Sequence, residues 1–257
     1  MAKIHFFGTC SGTEPIEGRH HVSFALEVNG VYYWFDAGEN CSRNAHLSGI
    51  DLLKVKTVFI SHTHMDHVGG LGNLLWNIRK LTTISDRRPI DKKIDIFIPN
   101  MNTWHGIHEV LINTECNFRC DFDIEAHRTN DGVVYEDKNI KVSAFHNHHL
   151  QEEEGDGWLS YSYQIEAEGK RLVFSGDVRD MHDLEEIIGD GCDYLLVETG
   201  HHKVCDVGSF VNTKNIGKVL FVHNGREIIN DTAGATERMK SFNCPAVICV
   251  DGMTEEF

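Results

Sequence analysis

Three things are scarce in this chain of 257 residues, and each scarcity narrows what it can be. Long apolar runs are missing. No stretch approaches the roughly 20 residues that cross a bilayer, and residues 1–8 hold no extended apolar segment, so a membrane role has no support and a cytoplasmic location is expected. Positive charge is thin: 24 Lys and Arg stand against 39 Asp and Glu, a formal charge of −15. That disfavours tight nonspecific attachment to nucleic acid, which rests on cation–phosphate contacts. Paired cysteines are also lacking. The eight cysteines are scattered, and only Cys116 and Cys120 lie close together, which is poor support for structural zinc and favours ordinary reduced thiols. No repeat or low-complexity tract interrupts the chain. Its 41% hydrophobic content suffices for one substantial core, so a single domain over 1–257 is expected.

What the chain does have is concentrated at residues 61–67, Ser-His-Thr-His-Met-Asp-His. An apolar run at 55–60 reads as a buried strand before it, and Val68-Gly69-Gly70-Leu71 reads as a helix entry after it. Three imidazoles and a carboxylate on one strand-to-helix turn suit a borderline divalent metal such as zinc. The His-x-His spacing sets His62 and His64 on one side of an extended segment, while Asp66 and His67 turn onto another face. With 17 histidines in the chain, some clustering is expected by chance, but not this order behind a strand.

The remaining pattern is mixed. Strands are expected at 4–7, 22–28 and 31–35, the last two joined by the hairpin signal Asn29-Gly30, and later at 94–98, 140–145, 160–165 and 171–174. From Ser175-Gly176-Asp177 onward helix and strand alternate, with helices at 181–188 and 233–241 and strands at 194–198, 219–223 and 246–250. A short helix at 42–47, a helix from the metal motif to about residue 80 and another near 103–112 complete the list, with 84–123 otherwise irregular. Two packed sheets covered outside by helices account for this order, though propensity alone does not select them over other α/β arrangements. Further ligands are expected where apolar runs end: at His146-Asn147-His148-His149, at Asp177 and at His223.

With His62-x-His64-x-Asp66-His67, a later histidine, Ser175-Gly176-Asp177 and His223 in this order, the chain resembles the metallo-β-lactamase-fold hydrolases. Gly8-Thr9, Gly18-Arg19, Asp36-Ala37-Gly38-Glu39 and Asp251-Gly252-Met253 are similar to the tRNase Z and phosphodiesterase branch. The resemblance implies a four-layer αββα sandwich, an α/β fold of two mixed sheets flanked by helices. It implies two divalent metal ions, zinc foremost, with manganese or iron open. His62, His64 and His149 would hold one ion, Asp66, His67 and His223 the other, and Asp177 would bridge them. Strand alternation through Phe145 and Asn147 selects His149, with His148 as the competitor. Asp177 also fits as the N-cap of the following helix, and His223 as a satisfied core histidine. Asp36 is expected either to orient a ligand histidine or to be a turn residue. Ser11, Thr13 and His20 are weak candidates for pocket lining. Trp158 and Trp104 read as core residues more readily than as pocket walls, and His146 as a polar strand residue.

The implied chemistry is hydrolysis by hydroxide shared between two ions about 3.5–4 Å apart. Asp66, Asp177, Glu198 and His201 are the expected catalytic side chains, with a solvated loop as the alternative place for His201 and His202. A small anionic phosphodiester is the expected substrate. A lactone or thioester hydrolase, a tRNase Z-like ribonuclease, a single-iron sulfur oxygenase and a non-catalytic binding protein are the alternatives, and a homodimer is compatible with each. tRNA is disfavoured on three grounds: the short interval between His149 and Asp177, the acidic run Glu152-Glu153-Glu154-Gly155-Asp156, and Val197 where the related nucleases carry histidine.

Overall fold

Fourteen strands form two seven-stranded sheets in the computed structural model, which describes residues 2–152 and 157–257. The first half of the chain supplies β1 (Lys3–Gly8), β2 (Ser23–Val28), β3 (Val31–Phe35), β4 (Val55–Phe59), β5 (Lys93–Ile98) and β6 (Asp123–Arg128). The second supplies β7 (Gly132–Glu136), β8 (Ile140–His146), β9 (Tyr161–Ala167), β10 (Lys170–Phe174), β11 (Gly191–Glu198), β12 (Asn215–His223) and β13 (Ala246–Ile248). The short β14 (Thr254–Glu256) returns to the first sheet beside β1. The sheet orders are β14-β1-β2-β3-β4-β5-β6 and β13-β12-β11-β10-β9-β8-β7.

Each sheet is antiparallel on one half and parallel on the other, because hairpins give way to helical crossovers. The turn at Asn29-Gly30 is of the hairpin kind, with φ of 52° and 73°, matching the right-handed twist of β2 and β3. β3, β4, β5 and β6 then run parallel, as do β10, β11, β12 and β13. Parallel strands buried on both faces are rich in apolar residues, which is why the ends of β4 and β12 are plain in the sequence.

Alternating side chains divide the core into three layers. Between the sheets, Phe24, Phe35, Phe59 and Phe97 stack across four neighbouring strands with centroids 5.1, 4.9 and 5.3 Å apart, and Phe174 meets Phe24 edge-on from the opposite sheet. Such offset and edge contacts are the favoured aromatic geometries. Outside the first sheet pack the helices Cys41–Leu47, Leu71–Ile84 and Met101–Thr114, burying Leu71, Leu74, Leu75 and Ile78 at helical spacing. Outside the second pack Glu185–Ile188, Val204–Val211 and Thr232–Met239. The chain therefore has two mixed sheets with helices on both outer faces.

Several expectations need correction. The expected helix after the metal motif is Leu71–Ile84, but the motif itself, read as a loop, holds a further short helix, Met65–Val68. β6, β7 and the helices Val204–Val211 and Arg226–Asn230 were not anticipated. β6 and β7 are edge strands with exposed or half-buried residues at nearly every position, so neither shows a clear apolar alternation. Asp177 caps no helix; that role falls to Asp180, whose side chain accepts from His182 N. Of the acidic run at 152–156, residues 153–156 lie outside the described residues. All eight cysteines are free thiols.

Candidate metal centre

The motif residues meet at one edge of the sandwich because the strands that carry them end there. β4 stops at Phe59, three residues before His62; β10 stops at Phe174, three before Asp177; β12 ends on His223 and β11 on Glu198. Loops beyond the carboxyl ends of parallel strands are where an α/β sheet gathers functional side chains.

Three overlapping groups of ligand atoms result, one of them joining His149, Asp177 and His201. His62, His64 and His149 offer nitrogens within 4.8 Å of one another. His62 Nε2 and His64 Nδ1 are 3.0 Å apart, and His149 Nε2 lies 3.3 Å from His64 Nδ1. Asp66, His67, Asp177 and His223 form the second group under the same limit. Asp177 lies between the two. Its Oδ1 is 3.3 Å from His67 Nε2 and 3.4 Å from His223 Nδ1, and its Oδ2 is 3.8 Å from His62 Nε2 and 3.9 Å from His149 Nε2.

His149 rather than His148 is turned into this cluster, for a reason other than strand alternation. β8 ends at His146, so the period-two count does not reach 149. Asn147, fully buried, accepts from His149 N at 3.2 Å and donates to Ser162 Oγ at 3.1 Å, while His148 is drawn away to Asp183.

Behind the ligands stands a buried relay. Asp36 accepts from Ser61 N (2.7 Å), Ser61 Oγ (2.8 Å) and His67 Nδ1 (2.7 Å). Because the Ser61 hydroxyl donates to Asp36, its lone pairs accept from His62 Nδ1 at 3.2 Å. Both imidazoles thus carry the proton on Nδ1 and aim Nε2 at the cluster. Asp36 holds φ of 50°, an uncommon backbone state for a residue with a side chain. Gly12 closes the opposite wall: a Cβ there would stand 2.8 Å from Asp66 Oδ2. Ser61 as relay had only one sequence signal, its place directly before His62.

The donor set fits a cation on two counts. His67 Nε2, Asp177 Oδ1 and His223 Nδ1 are buried without a hydrogen-bond partner, and all three point into one cluster. Buried polar atoms are rarely left so. The charges agree. Burial pulls His62 well below its ordinary pKa, with His67 adding to the effect. His67 is raised well above its ordinary value, against burial, by Asp177 and Asp36, and His223 rises to about 9, against burial, chiefly through Asp177. Asp177 stays far below the carboxylate range, against burial, held there by His223 and His67. Protons on two imidazoles thus balance the carboxylates, a task a divalent ion performs once those nitrogens are deprotonated. A further group, Asp95, Glu125 and His127, already encloses Lys93 Nζ at 3.0 and 2.8 Å from the carboxylates.

Glu198 and His201 border the cluster. Glu198 is buried and accepts from Val178 N (3.0 Å), His201 N (2.9 Å) and His201 Nδ1 (3.0 Å). Burial alone would raise this carboxyl, but His201 and then His223 bring it down to about 2. In turn Glu198 raises the pKa of His201. The His201 ring is half-exposed, 4.9 Å from that of His149. His202 instead donates from Nε2 to Val178 O at 3.0 Å. His20 is held by Asp251 (2.8 Å), and the Thr13 hydroxyl by Glu14 O (3.0 Å).

Comparison with known proteins agrees with this architecture. The YhfI protein of Bacillus subtilis, a metallo-β-lactamase fold protein, superimposes with a TM-score of 0.74 at 14% identity, covering 100% of this chain and 99% of its own. The short form of human tRNase Z does so with a TM-score of 0.74 at 16% identity, covering 99% and 98%. In sequence, a ribonuclease Z of Methanothermobacter thermautotrophicus is 32% identical over 144 residues, 56% of this chain and 43% of that protein. The matches span less than half the length of this and other curated ribonuclease Z relatives. The family profile described as "Anti-Pycsar protein Apyc1" matches residues 2–204. With a metallo-β-lactamase fold and a profile match over most of its length, the chain belongs to the anti-Pycsar protein Apyc1 family.

Proposed function

We propose that this protein is a metal-dependent hydrolase that cleaves a small anionic phosphodiester at a two-ion centre. The observation that carries the reading is the convergence on one ligand cluster of three buried polar atoms, from His67, Asp177 and His223, that face one another at 3.3 and 3.4 Å without forming a hydrogen bond. His62, His64 and His149 would hold the first ion and Asp66, His67 and His223 the second, with Asp177 placed between the two sets. Zinc suits this nitrogen and oxygen set, with manganese or iron as the alternatives. When bound, such a pair neutralises charge on the substrate and lowers the pKa of water toward 7.

The chain's own residues supply the rest. Ser61 and Asp36 fix the tautomers of His62 and His67, so both present a lone pair. His201, anchored from Nδ1 by Glu198, holds a proton on Nε2 at the mouth of the cluster, suited to protonating a leaving oxygen. Phosphodiester cleavage is favoured because negative charge accumulates on the oxygens of its transition state, where two cations are most effective. The formal charge of −15 favours a small substrate over a long polyanion. RNA is the second reading, supported by the ribonuclease Z relatives.

The test is metal analysis of the purified protein, followed by a panel of bis-(p-nitrophenyl) phosphate, p-nitrophenyl phosphate, a lactone, a thioester and a structured RNA. Two ions per chain and turnover of the phosphodiester alone are expected. Turnover of the lactone or thioester with the phosphodiester untouched would overturn the substrate assignment and leave the centre standing. Cleavage of the RNA alone would replace it with the second reading.

A further inference from the structure

We propose that Asp251 is a positioning residue for the ion of Asp66, His67 and His223, pinning the chain between β1 and β2 against that half of the centre; this rests on the two-ion reading above. Residues 9–22 form no helix or strand, only isolated bridges, so side-chain contacts decide their course. Asp251 supplies three of these contacts. Its Oδ1 accepts from the Thr9 hydroxyl at 2.8 Å, and its Oδ2 from His20 N at 2.7 Å and His20 Nδ1 at 2.8 Å. One carboxylate thus gathers both ends of the segment onto the turn before β14.

The segment reaches the centre at two points. Gly12 lies against Asp66, close enough that a Cβ would stand 2.8 Å from Oδ2 and 3.1 Å from Cγ. Ser11 N donates to Asn224 O at 3.1 Å, and Asn224 N donates to Thr9 O at 2.7 Å. Asn224 follows His223 directly at the end of β12. Gly200 fits between Ser11 and the His223 ring: a Cβ on it would meet Ser11 Cβ at 3.1 Å and His223 Nδ1 at 2.6 Å. His223 Nε2 in turn faces Asp66 Oδ2 at 3.1 Å. Thr9, Ser11 and Gly12 therefore wall in the Asp66–His223 pair, while His62 and His149 face the other oxygen of Asp177.

The tail that carries Asp251 is itself fixed. Gly252 N donates to Phe6 O at 2.8 Å, Phe6 N to Met253 O at 3.0 Å, and Asn224 Nδ2 to Cys249 O at 3.0 Å. It therefore grips the segment on one side and the residue after His223 on the other. Three donors on one ionised carboxylate make charge-assisted bonds, stronger than neutral ones. The ion pair of Arg226 with Glu14 also ties the segment, but both side chains are more than half exposed, so it contributes little. Asp251 lies beyond residues 2–204, the span matched by the family profile, and belongs to neither ligand set.

Competition for zinc between the loaded protein and a chromophoric chelator gives one dissociation constant per ion, and Asp66→Ala identifies the constant of the set to which it belongs. Asp251→Asn keeps the side chain's shape but offers an acceptor oxygen on one side only, so Thr9 or His20 loses its partner. It should weaken that ion about 10- to 100-fold, the range for residues that orient ligands, and leave the other within about two-fold. Thr9→Val, which removes the hydroxyl and little volume, should weaken the same ion, and Thr9→Ser should restore it. If Asp251→Asn does not fold, the Thr9 pair decides alone. Unchanged constants in Asp251→Asn and Thr9→Val would overturn the positioning role with two-ion binding still standing. Equal weakening of both ions, or a Thr9→Ser that behaves like Thr9→Val, would overturn it in favour of a general part in folding. If the wild-type protein binds fewer than two ions, the two-ion reading falls and this role falls with it.

Discussion

Asp36 Oδ2 and His67 Nδ1 lie 2.7 Å apart, both residues fully buried, across 31 positions of sequence. The same carboxylate holds Ser61 by its N–H and its hydroxyl, so one side chain orients two imidazoles of the centre. Asp36→Ala should weaken metal binding about 10- to 100-fold, the usual effect of losing a residue that orients a ligand histidine. Competition with a chromophoric chelator measures this, and an affinity within two-fold of wild type would contradict the relay.

Removing metal should also destabilise the fold, because the buried atoms of His67, Asp177 and His223 then face one another without a hydrogen bond. A melting temperature that rises with added zinc or manganese and falls on chelation is expected. At free ion about 100 times its dissociation constant, linkage supplies about 2.7 kcal/mol. Identical melting with and without chelator would argue against a centre at these residues.

His201→Ala should leave the ion count unchanged and lower kcat by about 10²- to 10⁴-fold, the range for loss of a positioned proton donor. The loss should be smaller for substrates with an acidic leaving group such as p-nitrophenolate, which needs little protonation. A uniform loss across leaving groups would assign His201 a structural part instead.

Far from the centre, Asp137 makes a pH prediction. Its carboxylate accepts from the hydroxyls of Tyr33 (2.7 Å) and Tyr135 (3.0 Å) and from Asn139 N and Ile140 N. Burial would raise this carboxyl, but the hydrogen bonds, led by that from Tyr33, lower it below its ordinary value. A depressed carboxylate contributes stability above its unfolded pKa, about 3.9, and loses it as pH falls through the lower folded value. Wild type should therefore lose stability through the pH 4 region and below more steeply than Asp137→Asn. Denaturant midpoints at stepped pH give the comparison, and parallel curves would refute it.

Much of the site is legible in the sequence because its densest part is local. His62, His64, Asp66 and His67 lie within six residues, after a strand in which every residue but Lys56 is buried. Asp177 and His223 are legible for the same reason, each standing at or just past the end of a buried strand. Less is legible where polarity masks the pattern. β6 and β7 expose so much of their length that no apolar period appears, and the helix Val204–Val211 follows a pair of histidines that reads as loop.

Composition and order alone determined that a dense set of histidine and carboxylate side chains stands at the ends of apolar runs, among alternating strands and helices. That follows from residue type and periodicity, which act over a few positions. Only the tertiary structure decided that His149 rather than His148 reaches His64 across 85 positions, and that His223 reaches Asp66 across 157. It also set Ser61 and Asp36 behind the ligands and His146 on Trp158. Such contacts depend on where a loop is pinned after its strand has ended, by side chains such as Asn147 and Asp183, and no local period records that.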